Sequence, residues 1–371
     1  MSKRIEYIDI ARGIGILLVV MGHNDFAVIS PFAYKVIYSF HMPLFFFLSG
    51  YFLNTAVGFW NFLKKRFNSL LKPYFFTIFL IYFISISFGK VGFQNAITRI
   101  VKSLYGAGAY LDWVQLWFLP HLFVVSLYAF LFYAIMAKVD SRWVRWLVLL
   151  LTLGLASLFL QKFYPFSLSV FGKHYELLGL PYSLDLVLLS GFFFILGSEA
   201  RQVTSERLFG NVFFLIVTGT LLILLDLFFS ARIDFNTRVY ESFVINTVEA
   251  VTGILFVLAL SRQIELRAEW LASVFKYFGK ISLIILLFHV PIQDFWGQKI
   301  LQVTGNHPLS IWLAFCMGVL GSALLYELFI KTNPVASFWL GREAESPKKE
   351  EVPVNVNVIQ TEDDKQPAIN P

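Results

Sequence analysis

The chain has 371 residues, of which 57% are hydrophobic and 15% are charged, whereas an ordinary soluble domain carries about 25% charged residues. This composition excludes an ordinary soluble protein and predicts an integral membrane protein. The single cysteine, Cys316, excludes a disulfide framework and a cysteine-based metal site, and no metal is expected. The net charge of +6 fits membrane topology better than nucleic-acid binding, so no nucleic-acid partner is expected.

Apolar runs of about 20 residues, the length needed to cross a bilayer, recur along the whole chain. They predict an all-α integral membrane fold with about ten transmembrane helices. The ninth of these spans is the least regular, because it contains Lys280, His289 and Pro291. The predicted spans cover residues 9–28, 36–54, 70–88, 113–137, 143–161, 184–200, 208–230, 243–261, 277–296 and 308–330.

Lys and Arg are distributed unequally between the predicted loops. With the N-terminus inside, most of them fall at cytoplasmic ends, and the positive-inside rule therefore predicts that both termini are cytoplasmic. Residues 1–331 form the predicted polytopic membrane domain. Residues 332–371, which include SPKKEEVPVNVNVIQTEDDKQPAINP, lack apolar periodicity and are predicted to be a disordered cytoplasmic tail.

The first span, IDIARGIGILLVVMGH, carries an ionisable residue near each end. Arg12 and His23 are eleven positions apart, which is about three helical turns or roughly 16 Å along one face. Arg12 is thus expected at one membrane surface and His23 deep in the hydrocarbon, where an ionisable side chain is a functional-site hypothesis by default. The alternative is that Arg12 only anchors the topology and His23 only bonds a neighbouring helix.

Four stretches of the chain resemble one known family. They are DIARG-x8-GH in the first span, YSFHMPLFFFLSGYFL at 38–53, LWFLPHLF at 116–123 and FGKISLIILLFHVPI at 278–292. Together they resemble the acyltransferase 3 family of integral-membrane O-acyltransferases, in particular its fucose 4-O-acetylase-like members. The resemblance implies a multi-pass enzyme of the bacterial cytoplasmic (inner) membrane. Such an enzyme moves an acetyl group from acetyl-CoA to a hydroxyl of a surface or lipid-linked glycan.

The predicted cytoplasmic mouth is basic, because KKRFNSLLKPYFF brings four cations next to Arg12. Cations of this kind suit the phosphates of coenzyme A, since charge-assisted hydrogen bonds match phosphate geometry. The family pattern here is Arg-x-x-Arg, but this chain has Arg66 and then Ser69 in the second position. Arg12 and Arg66 are therefore the expected acetyl-CoA contacts, and Lys72 is a candidate for the missing charge. A topology anchor is the competing interpretation.

Topology places other polar side chains in the same outer half of the predicted bundle as His23. Because antiparallel helices joined by a short loop pack side by side, His41 is expected to face His23 across one cavity, with the rings within about 8 Å. The competing interpretation is that each histidine bonds a different helix and no common cavity exists. The candidates for contacting the acceptor near these histidines are Trp117, His121, Glu249 and His289.

His23 and His41 are the predicted catalytic residues. His23 is expected either to deprotonate the acceptor hydroxyl or to carry the acetyl group as an acyl-imidazole. His41 is expected to orient His23 or to act as a second base. Short outer loops favour a lipid-linked or membrane-proximal glycan acceptor, held among membrane lipids. A polytopic transporter or flippase without acyl-transfer chemistry is the alternative.

Overall fold

The structure is a computed structural model that describes residues 5–139, 141–170, 172–203, 206–229 and 232–341. Helices dominate this part of the chain. The α-helices are α1 (Glu6–Gly22), α2 (Phe26–Ile29), α3 (Pro31–Tyr51), α4 (Phe59–Arg66), α5 (Lys72–Ser87), α6 (Phe93–Ser103), α7 (Phe118–Met136), α8 (Arg142–Phe159), α9 (Val187–Val203), α10 (Glu206–Phe209), α11 (Val212–Phe228), α12 (Phe243–Arg267), α13 (Glu269–Lys280), α14 (Ser282–Thr304), α15 (His307–Leu325) and α16 (Pro334–Trp339). They are joined in places by π-helical turns at Phe67–Leu71 and Tyr326–Ile330 and by 3-10 turns at Gly108–Tyr110, Val114–Trp117, Leu160–Phe163 and Pro181–Leu186.

The two helices that carry the predicted catalytic histidines, α1 and α3, cross their neighbours at backbone contact distance. A Cβ on Gly13 of α1 would lie 2.0 Å from the Phe275 carbonyl oxygen of α13. A Cβ on Gly50 of α3 would lie 1.8 Å from the Phe194 carbonyl oxygen of α9. Small residues permit such close crossings in membrane helix pairs, where packing rather than hydrophobicity drives association. The two glycines therefore fix α1 and α3 against the bundle.

Fewer than ten helices in the described part of the chain are long and apolar enough to cross a membrane on their own. By length and apolar composition, six helical segments in the described part of the chain are able to cross a membrane, or seven if α13 and α14 form one broken span. The protein is therefore multi-pass, while the ten spans and the side on which the termini lie stay predictions. The six segments are Phe59–Ser87, Val114–Met136, Arg142–Phe163, Pro181–Arg201, Phe243–Arg267 and His307–Ile330.

The differences from the predicted spans have local causes. Each predicted span coincides with helical structure, but α1 and α11 have only 17 residues each, fewer than the roughly 20 that a bilayer crossing needs. The predicted span 277–296 is not continuous, because the chain bends by 80° between α13 and α14. The bend lies at Ile281, next to the exposed Lys280. Because the residues on both sides of Ile281 are mostly apolar, composition alone predicts a single span there.

Two short antiparallel hairpins lie in segments that the sequence predicts as loops. β1 (Phe166–Val170) pairs with β2 (Lys173–Leu177), and β3 (Ile233–Asp234) pairs with β4 (Val239–Tyr240). The β3–β4 hairpin connects the segment after α11 to α12 and packs inward, because the side chains of Ile233, Phe235 and Tyr240 are buried. It therefore belongs to the core of the bundle rather than to a solvated loop.

The C-terminal boundary differs from the predicted one, since the chain is folded beyond residue 332. The Trp339 ring of α16 stacks on the Phe76 ring of α5, with centroids 5.9 Å apart. The Ser337 hydroxyl donates to the Ile330 carbonyl at 2.7 Å, and Leu340 is buried. The segment NPVASFWLG is too short to show helical periodicity, so the sequence alone does not predict that it packs against the bundle. The remainder of the predicted tail, 342–371, lies outside the described residues.

Candidate active site

The largest of four neighbouring cavities, here called the arginine cavity, has a volume of about 360 Å³. Three cations line it, namely Arg12, Arg66 and Lys280. Its other walls are mostly apolar and come from α1, α3, α7 and α14. The lining side chains from those helices include Ile16, Phe45, Leu48, Phe118, Leu119, Leu122, Leu283 and Leu286. A long molecule with an anionic head and an apolar arm matches this lining.

The two predicted donor arginines are held by aromatic rings. The Arg12 guanidinium lies 5.3 Å from the Phe52 ring centre, and one of its nitrogens is 3.6 Å from the buried carboxylate of Asp9. The Arg66 guanidinium lies 5.3 Å from the Phe62 ring centre. Cation–π contacts of this type orient a guanidinium over a ring face. Both arginines are therefore brought to one cavity, as the sequence predicts.

Lys72, the third predicted donor contact, is held elsewhere. Its ammonium lies 3.8 Å from the ring centre of Phe338 in α16, outside the lining of the arginine cavity. Ser69, which replaces the second arginine of the family pattern, does line the cavity. The third cation is instead Lys280, which in the sequence is only a charge within an apolar run. Its position at the bend between α13 and α14 directs it to the cavity.

A second, very small cavity, here called the connecting cavity, borders His23 and shares three lining side chains with the arginine cavity. This connecting cavity has a volume of about 20 Å³ and is lined by Val19, His23, Met42, Phe45, Gln115, Trp117, Phe118 and Leu286. Phe45, Phe118 and Leu286 also line the arginine cavity. These three side chains therefore belong to the walls of both cavities.

A third cavity brings His23 and His41 together, as the sequence predicts. This hairpin cavity has a volume of about 160 Å³. It is lined by His23, Tyr38, His41, Met42, Val114 and Trp117, and by residues 233–236 of the β3–β4 hairpin. Because His23 lines both this cavity and the connecting cavity, its side chain is accessible from two directions.

A fourth cavity also reaches His23, from a different side. This polar cavity, of about 180 Å³, is formed by the end of α1 and by α14 and α15. Its lining is rich in hydrogen-bonding side chains: Asn24, Asp25, Gln293, Asp294, Gln298, His307 and Ser310. His23 thus stands where three cavities meet.

The ring orientation of both catalytic candidates is set by backbone carbonyls one turn earlier. Nδ1 of His23 lies 2.9 Å from the Val19 oxygen, and Nδ1 of His41 lies 3.0 Å from the Ile37 oxygen. A carbonyl only accepts, so Nδ1 carries the hydrogen in each ring. In the neutral ring, Nε2 then holds the lone pair and is the atom able to take a proton or attack a carbonyl carbon.

Two of the predicted acceptor contacts instead support other rings. The ring of His289 is buried and stands perpendicular to that of His23, with centroids 5.3 Å apart. His121 stacks on Trp117 at 5.5 Å. Its Nδ1 donates to the Tyr182 carbonyl at 3.1 Å, while Nε2 lies 2.7 Å from the hydroxyl oxygen of Ser190. Both nitrogens of His121 are used within the protein, so this ring positions Trp117.

Glu249 is not brought to the histidines' cavities. Its side chain is fully buried in α12 and lines none of the four cavities. Trp117, by contrast, lines the connecting and hairpin cavities directly. Within the described residues, no group of three or more His, Cys, Asp or Glu side chains is arranged to hold a metal ion.

Comparison with known proteins agrees with the motifs. The model of the acyltransferase 3 family, described as an acyltransferase domain, matches residues 5–327. This range includes every helix that lines the four cavities. No curated protein and no solved structure matches the chain significantly.

Proposed function

Because the chain belongs to the acyltransferase 3 family of membrane O-acyltransferases, we propose that it moves an acetyl group from acetyl-CoA to a sugar hydroxyl of a surface or lipid-linked glycan. The observation that carries this proposal is the position of His23. Its imidazole lines the cavity shared with His41 and also the connecting cavity, which shares three lining side chains with the cavity that holds three cations.

The donor occupies the arginine cavity. Arg12, Arg66 and Lys280 bind the phosphates of coenzyme A, because guanidinium and ammonium groups form charge-assisted hydrogen bonds with phosphate oxygens. The pantetheine arm lies along the apolar wall. A space of about 20 Å³ holds little more than one water molecule. The thioester therefore reaches His23 only after Phe45, Phe118 or Leu286 changes rotamer.

The direct route of transfer uses His23 as a general base. Nε2 of His23 takes the proton of the acceptor hydroxyl, and the hydroxyl oxygen attacks the thioester carbonyl carbon. The C–S bond then breaks, and the departing sulfur takes the proton from the imidazolium. The products are the ester and free coenzyme A. Gln115 donates one amide hydrogen to the Leu287 carbonyl at 3.2 Å, which leaves its second N–H for the oxyanion that forms during attack.

A covalent route uses the same geometry in two steps. Nε2 of His23 attacks the thioester, coenzyme A leaves as the thiolate, and an acyl-imidazole remains. His41 then takes the proton of the acceptor hydroxyl while the oxygen attacks the acyl carbon and releases His23. The two routes differ in a measurable way. Only the covalent route releases up to one equivalent of coenzyme A per protein in the absence of an acceptor.

The location of the donor and the distribution of charge support one side of the membrane for each substrate. Acetyl-CoA is a cytoplasmic metabolite, so the arginine cavity faces the cytoplasm in this proposal and the hairpin cavity faces outward. This arrangement agrees with the positive-inside rule, which puts clustered Lys and Arg on the cytoplasmic side. The proposed location is the bacterial inner membrane, where lipid-linked glycans are within reach.

The test uses purified protein in proteoliposomes with acetyl-CoA labelled in the acetyl group. The acceptors are methyl glycosides of hexoses and 6-deoxyhexoses, and cyclohexanol serves as a non-sugar control of similar size. The proposal predicts labelled acetyl esters of at least one glycoside, with equimolar release of coenzyme A, and little ester from cyclohexanol. Uptake of a labelled glycoside without consumption of acetyl-CoA would instead identify a transporter and overturn the proposal.

A further inference from the structure

We infer that the β3–β4 hairpin recognises the acceptor, with Asn236 contacting the acceptor ring and Arg238 positioning Asn236. This inference rests on the proposed function and names the residues that select its sugar. The hairpin supplies four consecutive lining residues, 233–236, to the cavity that contains His23 and His41. A group bound there is in reach of both imidazoles.

The lining of the hairpin cavity suits a polyhydroxylated ring. Tyr38 and Trp117 supply aromatic surface, and Asp234 and Asn236 supply hydrogen-bonding groups. Small-molecule sites typically combine apolar and aromatic walls with a few well-placed polar groups. The amide oxygen of Asn236 is buried and has no hydrogen-bond partner among the described residues. A buried amide oxygen that lacks a protein partner costs free energy, and a small rotation of this side chain, which lines the cavity, brings the oxygen to a sugar hydroxyl.

A buried ion pair holds the hairpin in place. Arg238, at a positive φ of 59°, forms a two-pronged contact with Asp185, with Nε–Oδ2 at 2.7 Å and Nη2–Oδ1 at 3.2 Å. Both side chains are almost fully buried. The third guanidinium nitrogen, Nη1, donates to the backbone carbonyl of Asn236 at 2.6 Å. The guanidinium therefore fixes the backbone of Asn236 relative to the turn before α9.

A notch at Gly108 fixes the side chain of the same residue. A Cβ at Gly108 would lie 1.9 Å from the Asn236 amide oxygen, so only glycine leaves room for the amide in its present position. Gly108 has no positive φ, so alanine there is compatible with the backbone. Gly108→Ala therefore displaces the Asn236 amide but changes neither of the two histidines nor any residue that lines the arginine cavity. Gly92→Ala is the matched control, because a Cβ at Gly92 meets only open space.

The experiment separates acceptor recognition from donor use. The KM of the best methyl glycoside and the KM of acetyl-CoA are measured for wild type, Asn236→Ala, Gly108→Ala, Gly92→Ala and Arg238→Lys. Asn236→Ala and Gly108→Ala are expected to raise the glycoside KM about three- to tenfold, the loss of one hydrogen bond, with the acetyl-CoA KM unchanged. Arg238→Lys is expected to raise only the glycoside KM as well, since it keeps the charge but loses the fork. Gly92→Ala is expected to match wild type.

Two further measurements decide between the alternatives. Gln298→Ala tests the polar cavity as the acceptor site: a raised glycoside KM in this variant, with Asn236→Ala unchanged, overturns the inference. Binding of the methyl glycoside without acetyl-CoA is followed by saturation-transfer NMR. Glycoside binding that depends on Asn236, without any acetyl transfer, would overturn the proposed function but support the hairpin as a sugar site. Acetyl transfer that is unaffected by Asn236→Ala would support the proposed function but overturn the hairpin as the acceptor site.

Discussion

Arg66 and Lys280 provide a graded test of the donor site, because both line the arginine cavity but differ in exposure. Arg66 is partly buried beside Phe62, whereas Lys280 is exposed. A charge-assisted hydrogen bond in a partly buried site contributes about 1.5–3 kcal/mol, so Arg66→Ala is expected to raise the acetyl-CoA KM about tenfold to a hundredfold. Exposed ion pairs contribute about 0.2–1 kcal/mol, so Lys280→Ala is expected to raise it by about fivefold at most.

Lys72→Ala is the matched control for these variants. Lys72 has the same charge and is six residues from Arg66 in sequence, but its ammonium lies on the Phe338 ring rather than in the cavity. The acetyl-CoA KM is therefore expected to stay at the wild-type value. The Lys280→Ala effect is also expected to shrink when salt is raised from about 0.1 M to about 1 M, which shortens the Debye length from about 10 Å to about 3 Å.

The assay measures initial rates of thiol release at fixed glycoside while the donor concentration is varied. Acetyl-pantetheine, which lacks the nucleotide and its phosphates, is the second donor. Wild type and Arg66→Ala are expected to use acetyl-pantetheine equally well, because the missing contact is to a phosphate. An equal loss with both donors, or a Lys72→Ala effect as large as that of Arg66→Ala, would refute the assignment of the arginine cavity to the nucleotide.

Three further changes test the site and its supports. If transfer follows the covalent route, His41→Ala is expected to lower kcat about 10²- to 10⁴-fold with the acetyl-CoA KM unchanged, as for a lost general base; a wild-type kcat would contradict that route. Gly50→Ala must move α3 from α9 by about 1.6 Å to bring 1.8 Å to an ordinary 3.4 Å contact, so we expect about a 100-fold loss of kcat, with Gly58→Ala, which faces open space, as the neutral control. A chain ending at residue 333 loses α16 and also Gly341, which lines the arginine cavity. It should show a lower melting temperature and a higher acetyl-CoA KM than a chain ending at residue 341. Equal values for the two chains would show that α16 is dispensable.

The spacing of Arg12 and His23 was readable from sequence because one continuous helix joins them. α1 runs unbroken from Glu6 to Gly22, with His23 as its C-cap. A helix fixes both the distance and the face of two residues, so their separation along one face follows from the sequence. The sharing of one cavity by His23 and His41 was predicted for a similar reason, since a short connection forces α1 and α3 to be neighbours.

Depth along the membrane normal was a poorer guide for Glu249 and His121. The sequence gives the height of a residue on its helix, but the rotation of the helix depends on packing against its neighbours. Glu249 is accordingly buried and lines none of the four cavities. Both ring nitrogens of His121 form hydrogen bonds, one with Tyr182 and one with Ser190. The role of Lys280 is not predicted because the apolar composition of residues 277–296 gives no sign of the 80° bend that places Lys280 at the cavity.

Asn236 and Arg238 lie beyond what the sequence alone indicates. The segment RIDFNTRVYE has the turn residues and charges of an ordinary exposed loop. Its burial depends on Asp185, more than fifty positions earlier in the chain, which pairs with Arg238. Long-range pairs of this kind leave no local periodicity, so the hairpin becomes visible as part of the site only in three dimensions.

The central claim, that His23 transfers the acyl group between the two cavities, is tested most directly with the His23→Ala variant. Acetyl ester formation from labelled acetyl-CoA is measured at saturating donor and glycoside in proteoliposomes containing equal amounts of wild-type and variant protein. His23→Ala is expected to keep the wild-type elution volume and binding of acetyl-CoA but to lose transfer by at least about 100-fold. Transfer near the wild-type rate in a correctly inserted His23→Ala protein would contradict it.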